Sequence, residues 1–290
     1  MSNATDPYID PDSSIEIDYS NEEALLDAAE TVDRSPSPPS MTRSLGMDLK
    51  NMVTLIETIP LKDGRFFKSE AGLQKKQIYI HHTAGWGDPV GNLHGWNDAN
   101  NQVGTWCLIA GRRIHRRHKH TDGHVYRAFS SKDWAWHLGV STSNSRQLNK
   151  ESIGIELCSF GPLRKISDNE FAPLNPQVSA RFTTDQVTVY DASNGYPDGY
   201  RGHHYHEKYT EAQLEALENV LSYLCSTYNI PMDYKGDQMF DVDQRALDGE
   251  PGIWSHTSVR GLNKHNKYEK YDCHPQPELI SMLKGLSPLA

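Results

Sequence analysis

The chain alternates between short apolar runs closed by turn residues and one long stretch with helical periodicity. Gln77-Ile-Tyr-Ile-His-His82 is a β-branched and aromatic run that breaks at Thr83-Ala-Gly85. Runs of this kind are strands ending at turns. Further strands are predicted at 103–110, at 124–129 after an Asp122-Gly123 turn, and at 152–158, where Glu156 projects from the face opposite Ile153, Ile155 and Leu157. Thr210-Glu-Ala-Gln213 is a capping box, followed at helical spacing by Leu214, Leu217, Val220, Leu221 and Leu224. A last helix is expected over Glu278–Leu283. Residues 46–76 form a lead-in whose one apolar run is Met52–Ile56. Residues 160–209, rich in Gly, Pro, Asn and Asp, predict a long loop insertion that stands beside a site as a substrate-binding segment or lid. Strands with helices before and after them make an α/β domain over 77–290, a mixed central β-sheet flanked by helices.

Charge and composition narrow the partners. Ten acidic residues against Arg34 and Arg43 place nearly the whole formal charge of −9 in residues 1–45. That segment, ending in Ser35-Pro-Ser-Pro-Pro-Ser40, is expected to be a disordered acidic tail. Its functional alternative is a docking or secretion segment, with Ala24–Ala29 forming a short helix on a partner. The rest of the chain is near neutral, which predicts no nucleic-acid partner. No apolar run approaches the roughly 20 residues of a membrane span. The N-terminus has neither a basic start nor an apolar stretch, so the expectation is synthesis in the cytoplasm without a signal peptide, and any action outside the cell would follow release or export by another route. Cys107, Cys158, Cys225 and Cys273 are too scattered for a disulfide framework or a structural zinc finger.

The chemistry gathers at three places. Two histidines end the strand 77–82, another lies in Trp254-Ser-His-Thr257, and Lys270-Tyr-Asp-Cys-His-Pro275 adds a carboxylate and a thiol. A catalytic zinc takes three protein ligands and keeps one position open. Five motifs stand in order: Ile-His-His-Thr-Ala-Gly at 80–85, Trp-His-Leu-Gly at 136–139, Ile-Gly-Ile-Glu-Leu at 153–157, Ser-His-Thr at 255–257 and Lys-x-Asp at 270–272. Together, over about 77–283, they resemble the zinc-dependent N-acetylmuramoyl-L-alanine amidases (amidase type 2). That family includes phage lysozymes of the amidase type, cytoplasmic anhydro-muropeptide amidases and peptidoglycan recognition proteins.

The resemblance implies a set of roles. His81 and His256 are the implied zinc ligands. The third is Asp272 by its spacing from Lys270, with Cys273 as the competitor favoured by its softness toward zinc and His274 as a minor one. His82 points to the opposite face of the strand. Glu156 matches the general base of the cytoplasmic amidases, since Thr105 stands where other members carry a tyrosine. Lys270 matches the lysine that stabilises the oxyanion. His137 is the implied substrate-groove residue of the Trp-His-Leu-Gly motif, and Trp86 can stack on sugar. The histidines among the cations of 112–124 are expected on a solvated hairpin extension, and His203-His-Tyr-His206 as an adventitious metal group at most. The implied activity is hydrolysis of the amide between N-acetylmuramic acid and L-alanine in peptidoglycan or muropeptides, with endolysin, antibacterial-effector and recycling settings all compatible. The alternatives are a non-catalytic peptidoglycan-binding module and a zinc peptidase that cuts within the stem.

Overall fold

In the computed structural model, described for residues 56–99, 101–268 and 270–286, the strands forecast at 77–82, 103–110, 124–129 and 152–158 join two that the sequence did not announce, at 56–58 and 252–255, in one sheet. Its strands are β1 (Ile56–Thr58), β2 (Gln77–His82), β3 (Cys107–Ile109), β4 (Val125–Arg127), β5 (Ser152–Leu157) and β10 (Gly252–Ser255). They lie in the order β1-β4-β3-β5-β2-β10. Only the β3–β4 pair is antiparallel, so the sheet is mixed, as expected. The acidic tail 1–45, its Ala24–Ala29 segment and residues 46–55 of the lead-in lie outside the described residues; Ile56, the last residue of the lead-in's apolar run, begins β1.

All six residues of β2 are buried, and β5 and β10 flank it on either side. The helices are α1 (Pro89–Asp98), α2 (Ser145–Glu151), α3 (Glu211–Tyr228), α4 (Gln244–Leu247) and α5 (Pro277–Gly285). The α3 start is the forecast capping box: Thr210 Oγ1 accepts from the Gln213 amide at 3.1 Å, and Gln213 Oε1 accepts from the Thr210 amide at 3.2 Å. Leu214, Leu217, Val220, Leu221 and Leu224 then lie in the core. Each such side chain withdrawn from water contributes roughly 1.5–3 kcal/mol. Gln213 also ties the helix to the sheet, donating to the Cys158 carbonyl at 3.1 Å.

The 160–209 insertion differs from the forecast loop. It carries β6 (Pro162–Ser167), β7 (Glu170–Pro173), β8 (Val187–Val189) and β9 (Tyr205–Glu207), an antiparallel sheet in the order β7-β6-β9-β8. Phe160, Leu163, Phe171, Val178, Ala180, Phe182 and Val187 give it a small core of its own. These strands are short, and most of their apolar partners lie in the irregular stretches between them, so no single run announces them. The 112–124 segment also departs from expectation: Arg113, Arg116, Arg117 and Lys119 are exposed, but His118 and His120 are buried. Alternating residues turn outward and inward there, which removes the histidines from solvent.

Candidate active site and metal centre

Parallel neighbours bring residues of equal register to one level. His81 of β2 pairs with Glu156 of β5, and Ser255 of β10 pairs with Ile80, so His256 arrives beside His81 one step further on. The three strands run the same way, and this level is their C-terminal end, where parallel sheets open into sites. Asp272 comes from the loop before α5, with its backbone carbonyl accepting from the Thr257 amide at 2.9 Å.

The result is a buried cluster of His81, His256 and Asp272, with one ligand atom of each within 4.8 Å of the other two. Asp272 Oδ2 lies 2.6 Å from His256 Nδ1 and 3.3 Å from His81 Nδ1. His256 Nε2 donates to the Leu138 carbonyl at 2.9 Å. Burial holds the His256 imidazole below its ordinary pKa, against the pull of the Asp272 charge and its hydrogen bond. Burial pushes His81 down as well, to about 4. Burial works against ionising Asp272, but the neighbouring imidazoles hold its carboxyl well below the usual range. Two imidazole nitrogens and a carboxylate oxygen thus converge in a buried space, an arrangement that a divalent cation satisfies. Two nitrogens and one oxygen are also a donor set that zinc accepts.

Behind His81 runs a relay. His81 Nε2 is 3.1 Å from His137 Nδ1, His137 Nε2 is 2.8 Å from Ser152 Oγ, and Ser152 Oγ donates to the Asn149 carbonyl at 3.4 Å. With protons running in that direction, His81 keeps its Nδ1 lone pair for the cluster. Outer hydrogen bonds of this kind fix the tautomer of a ligating imidazole. His137 is therefore held by protein groups at both ring nitrogens, behind His81. Gly154 makes room for it, because a Cβ there would lie 3.0 Å from His137 Nδ1 and 2.7 Å from Thr105 Cγ2.

Glu156 stands beside His81 with its Oε2 buried and without a hydrogen-bond partner. Burial first, and the Asp272 charge second, push its carboxyl well above the usual range, while the Lys270 charge opposes them. The same lysine, two residues before Asp272, is near enough for its charge to act on both His81 and His256.

The other candidates are placed apart from the cluster. Cys273 is buried, and burial with the adjacent Asp272 charge drives its thiol up. His274 accepts from Tyr190 Oη at 2.7 Å and donates to the Glu207 carbonyl at 3.0 Å. His82 faces the other side of the sheet, 3.0 Å from Tyr209 Oη. Trp86 is half-buried, edge-on to Phe160, His118 and His115 at centroid separations of 5.2, 5.3 and 5.7 Å. Within His203–His206, His204 Nδ1 meets the Tyr190 carbonyl and His203 packs on Tyr271, and no carboxylate joins them in a group able to hold a metal among the described residues.

Arg201 is a residue the sequence did not single out. Its guanidinium donates to the carbonyls of Arg260 at 2.7 Å, Lys270 at 2.9 Å and Thr257 at 3.1 Å, so one buried cation holds the two segments that deliver His256 and Asp272. A lone arginine in a Gly-Tyr-Arg-Gly turn offers no signal of that task.

Fold and cluster together define an α/β protein with a metal-competent site at the open end of its parallel strands. The chain belongs to the N-acetylmuramoyl-L-alanine amidase family, whose model matches residues 72–272. Among solved structures, PlyL is 16% identical, with 80% of this chain and 98% of PlyL covered at a TM-score of 0.42. The selenomethionine derivative of AmpD is 16% identical, with 79% and 94% covered at a TM-score of 0.40. AmiD from E. coli, an N-acetylmuramyl-L-alanine amidase in complex with anhydro-N-acetylmuramic acid-L-Ala-D-γ-Glu-L-Lys, is 19% identical, with 64% and 62% covered at a TM-score of 0.33. No curated protein matches the chain. No helix among the described residues is long and apolar enough to cross a membrane.

Proposed function

We propose that this chain is a zinc-dependent amidase that hydrolyses the bond between the lactyl group of N-acetylmuramic acid and L-alanine of the peptide stem. The observation that carries this reading is the placement of Glu156, whose Oε2 is buried without a hydrogen-bond partner, beside the His81–His256–Asp272 cluster. His81, His256 and Asp272 are the residues that hold zinc. When bound, zinc polarises a carbonyl and lowers the pKa of water toward neutrality.

The chain's own groups do the rest. Glu156, raised by burial, takes a proton from the attacking water and returns it to the departing alanine amine as the C–N bond breaks. The products are a lactyl carboxylate and a free amine. Lys270 supplies a fixed cation for the oxyanion of the tetrahedral intermediate. His137 orients His81 from behind, and Trp86 stacks on sugar. Peptidoglycan or soluble muropeptide is the substrate, met outside the cytoplasm after release or export.

Glu156→Gln preserves volume and tests the assignment. Turnover of a defined muropeptide should fall roughly 10²-fold or more while zinc content stays at the wild-type level. Normal turnover with zinc intact would remove Glu156 as the proton carrier. Wall binding with neither zinc nor released peptide in the wild-type protein would instead mark a non-catalytic peptidoglycan-binding module. Products cut inside the stem would mark a peptidase.

A further inference from the structure

A second group of metal-ligating side chains lies in the segment that joins β3 to β4. His118 and His120, 2% and 4% exposed, meet Asp88, 5% exposed, at the start of α1. One ligand atom of each lies within 4.8 Å of the other two. Both outer partners are fixed. Asp88 Oδ1 caps α1, accepting from the Val90 amide at 2.9 Å, which leaves Oδ2. His120 Nε2 donates to the Gly111 carbonyl at 3.0 Å, which leaves Nδ1.

The two remaining atoms, His120 Nδ1 and Asp88 Oδ2, are 3.6 Å apart, beyond a hydrogen bond. The Nδ1 atoms of His118 and His120 are both buried with no hydrogen-bond partner. Native interiors leave few such groups, and each calls for an explanation such as an ion. Ligand atoms about 2.0–2.2 Å from a tetrahedral zinc lie roughly 3.3–3.6 Å from one another, so the His120–Asp88 separation already suits one. Two imidazoles with one carboxylate favour zinc and its transition-metal neighbours over magnesium or calcium, which prefer all-oxygen shells.

We propose that Asp88, His118 and His120 bind a second divalent ion of the zinc class, which ties the cationic 112–124 segment to the start of α1. The ion would fix His118, on which Trp86 packs, and through Trp86 the small sheet at Phe160. Arg113, Arg116, Arg117 and Lys119 would thereby stay on the outer face of a braced segment. This site is independent of the amidase reading.

The test uses full-length protein carrying His81→Ala and His256→Ala, which removes the first cluster. After stripping and dialysis against zinc, elemental analysis should find about one zinc per chain. Adding His118→Gln and His120→Gln should abolish it. A double variant that holds no zinc, or zinc that survives the glutamine changes, would overturn the proposal. Should the glutamine changes prevent folding, seen by far-ultraviolet circular dichroism, Asp88→Asn in the same background retains an oxygen to cap α1. Loss of zinc from that folded variant supports the site, and full retention overturns it.

Discussion

At the level of single residues, the cluster is decided by which atom of each side chain is left over after its protein contacts are made. His256 uses Nε2 on the Leu138 carbonyl, so Nδ1 faces Asp272. His274 uses both nitrogens elsewhere. Cys273, next to the carboxylate in sequence, is buried but does not join His81, His256 and Asp272 in the group able to hold a metal. Asp272→Ala should therefore strip most of the zinc bound with His81 and His256, and Cys273→Ser should leave it. Cobalt-substituted protein reads the difference: a thiolate-to-metal charge-transfer band that disappears in Cys273→Ser would transfer the ligand role to the thiol.

At the level of elements, the small sheet is fastened to the main one by a buried acid. Glu207 of β9 accepts from the Phe160 amide at 2.7 Å and from Ser159 Oγ at 3.2 Å, at the exit of β5. Burial outweighs those bonds and lifts its carboxyl from 4.5 to about 7. Folded protein then binds this proton more tightly than unfolded chain, so the stabilisation is complete below pH 4.5 and is lost as pH rises through about 7. The shift corresponds to about 3 kcal/mol across that window. Glu207→Gln cannot ionise, so its melting temperature relative to wild type should climb between those pH values and then level off. A difference that is flat with pH would show that Glu207 titrates normally.

At the level of the whole molecule, the candidate site draws on β2, β5, β10 and the loop before α5, all between residues 81 and 272. The described chain starts at Ile56 in an edge strand, away from β2 and β10 in the sheet order. Deleting residues 1–45 should thus leave hydrolysis of soluble muropeptide unchanged, measured as kcat/KM on one defined substrate. A truncated protein that folds but has lost turnover would make the acidic segment part of the site. Its contribution to export or docking is tested separately, by following release of the full and truncated chains from cells.

Much of this protein follows from local pattern. β2, β5, α3 and the capping box of α3 were legible because periodicity and capping are properties of neighbouring residues. His81, Glu156 and His256 were legible because each sits in a short motif at a strand or its end. The tertiary structure decided what depends on residues far apart in the chain. It gave the 160–209 insertion a sheet, since the strands of that sheet are three to six residues long and find their apolar partners across irregular segments. It turned His118 and His120 inward to Asp88, because only the close approach of the β3–β4 connection to α1 brings that carboxylate to them. It also set Arg201 under the segments that deliver His256 and Asp272, a role that exists only once three backbone carbonyls from distant positions converge on one guanidinium.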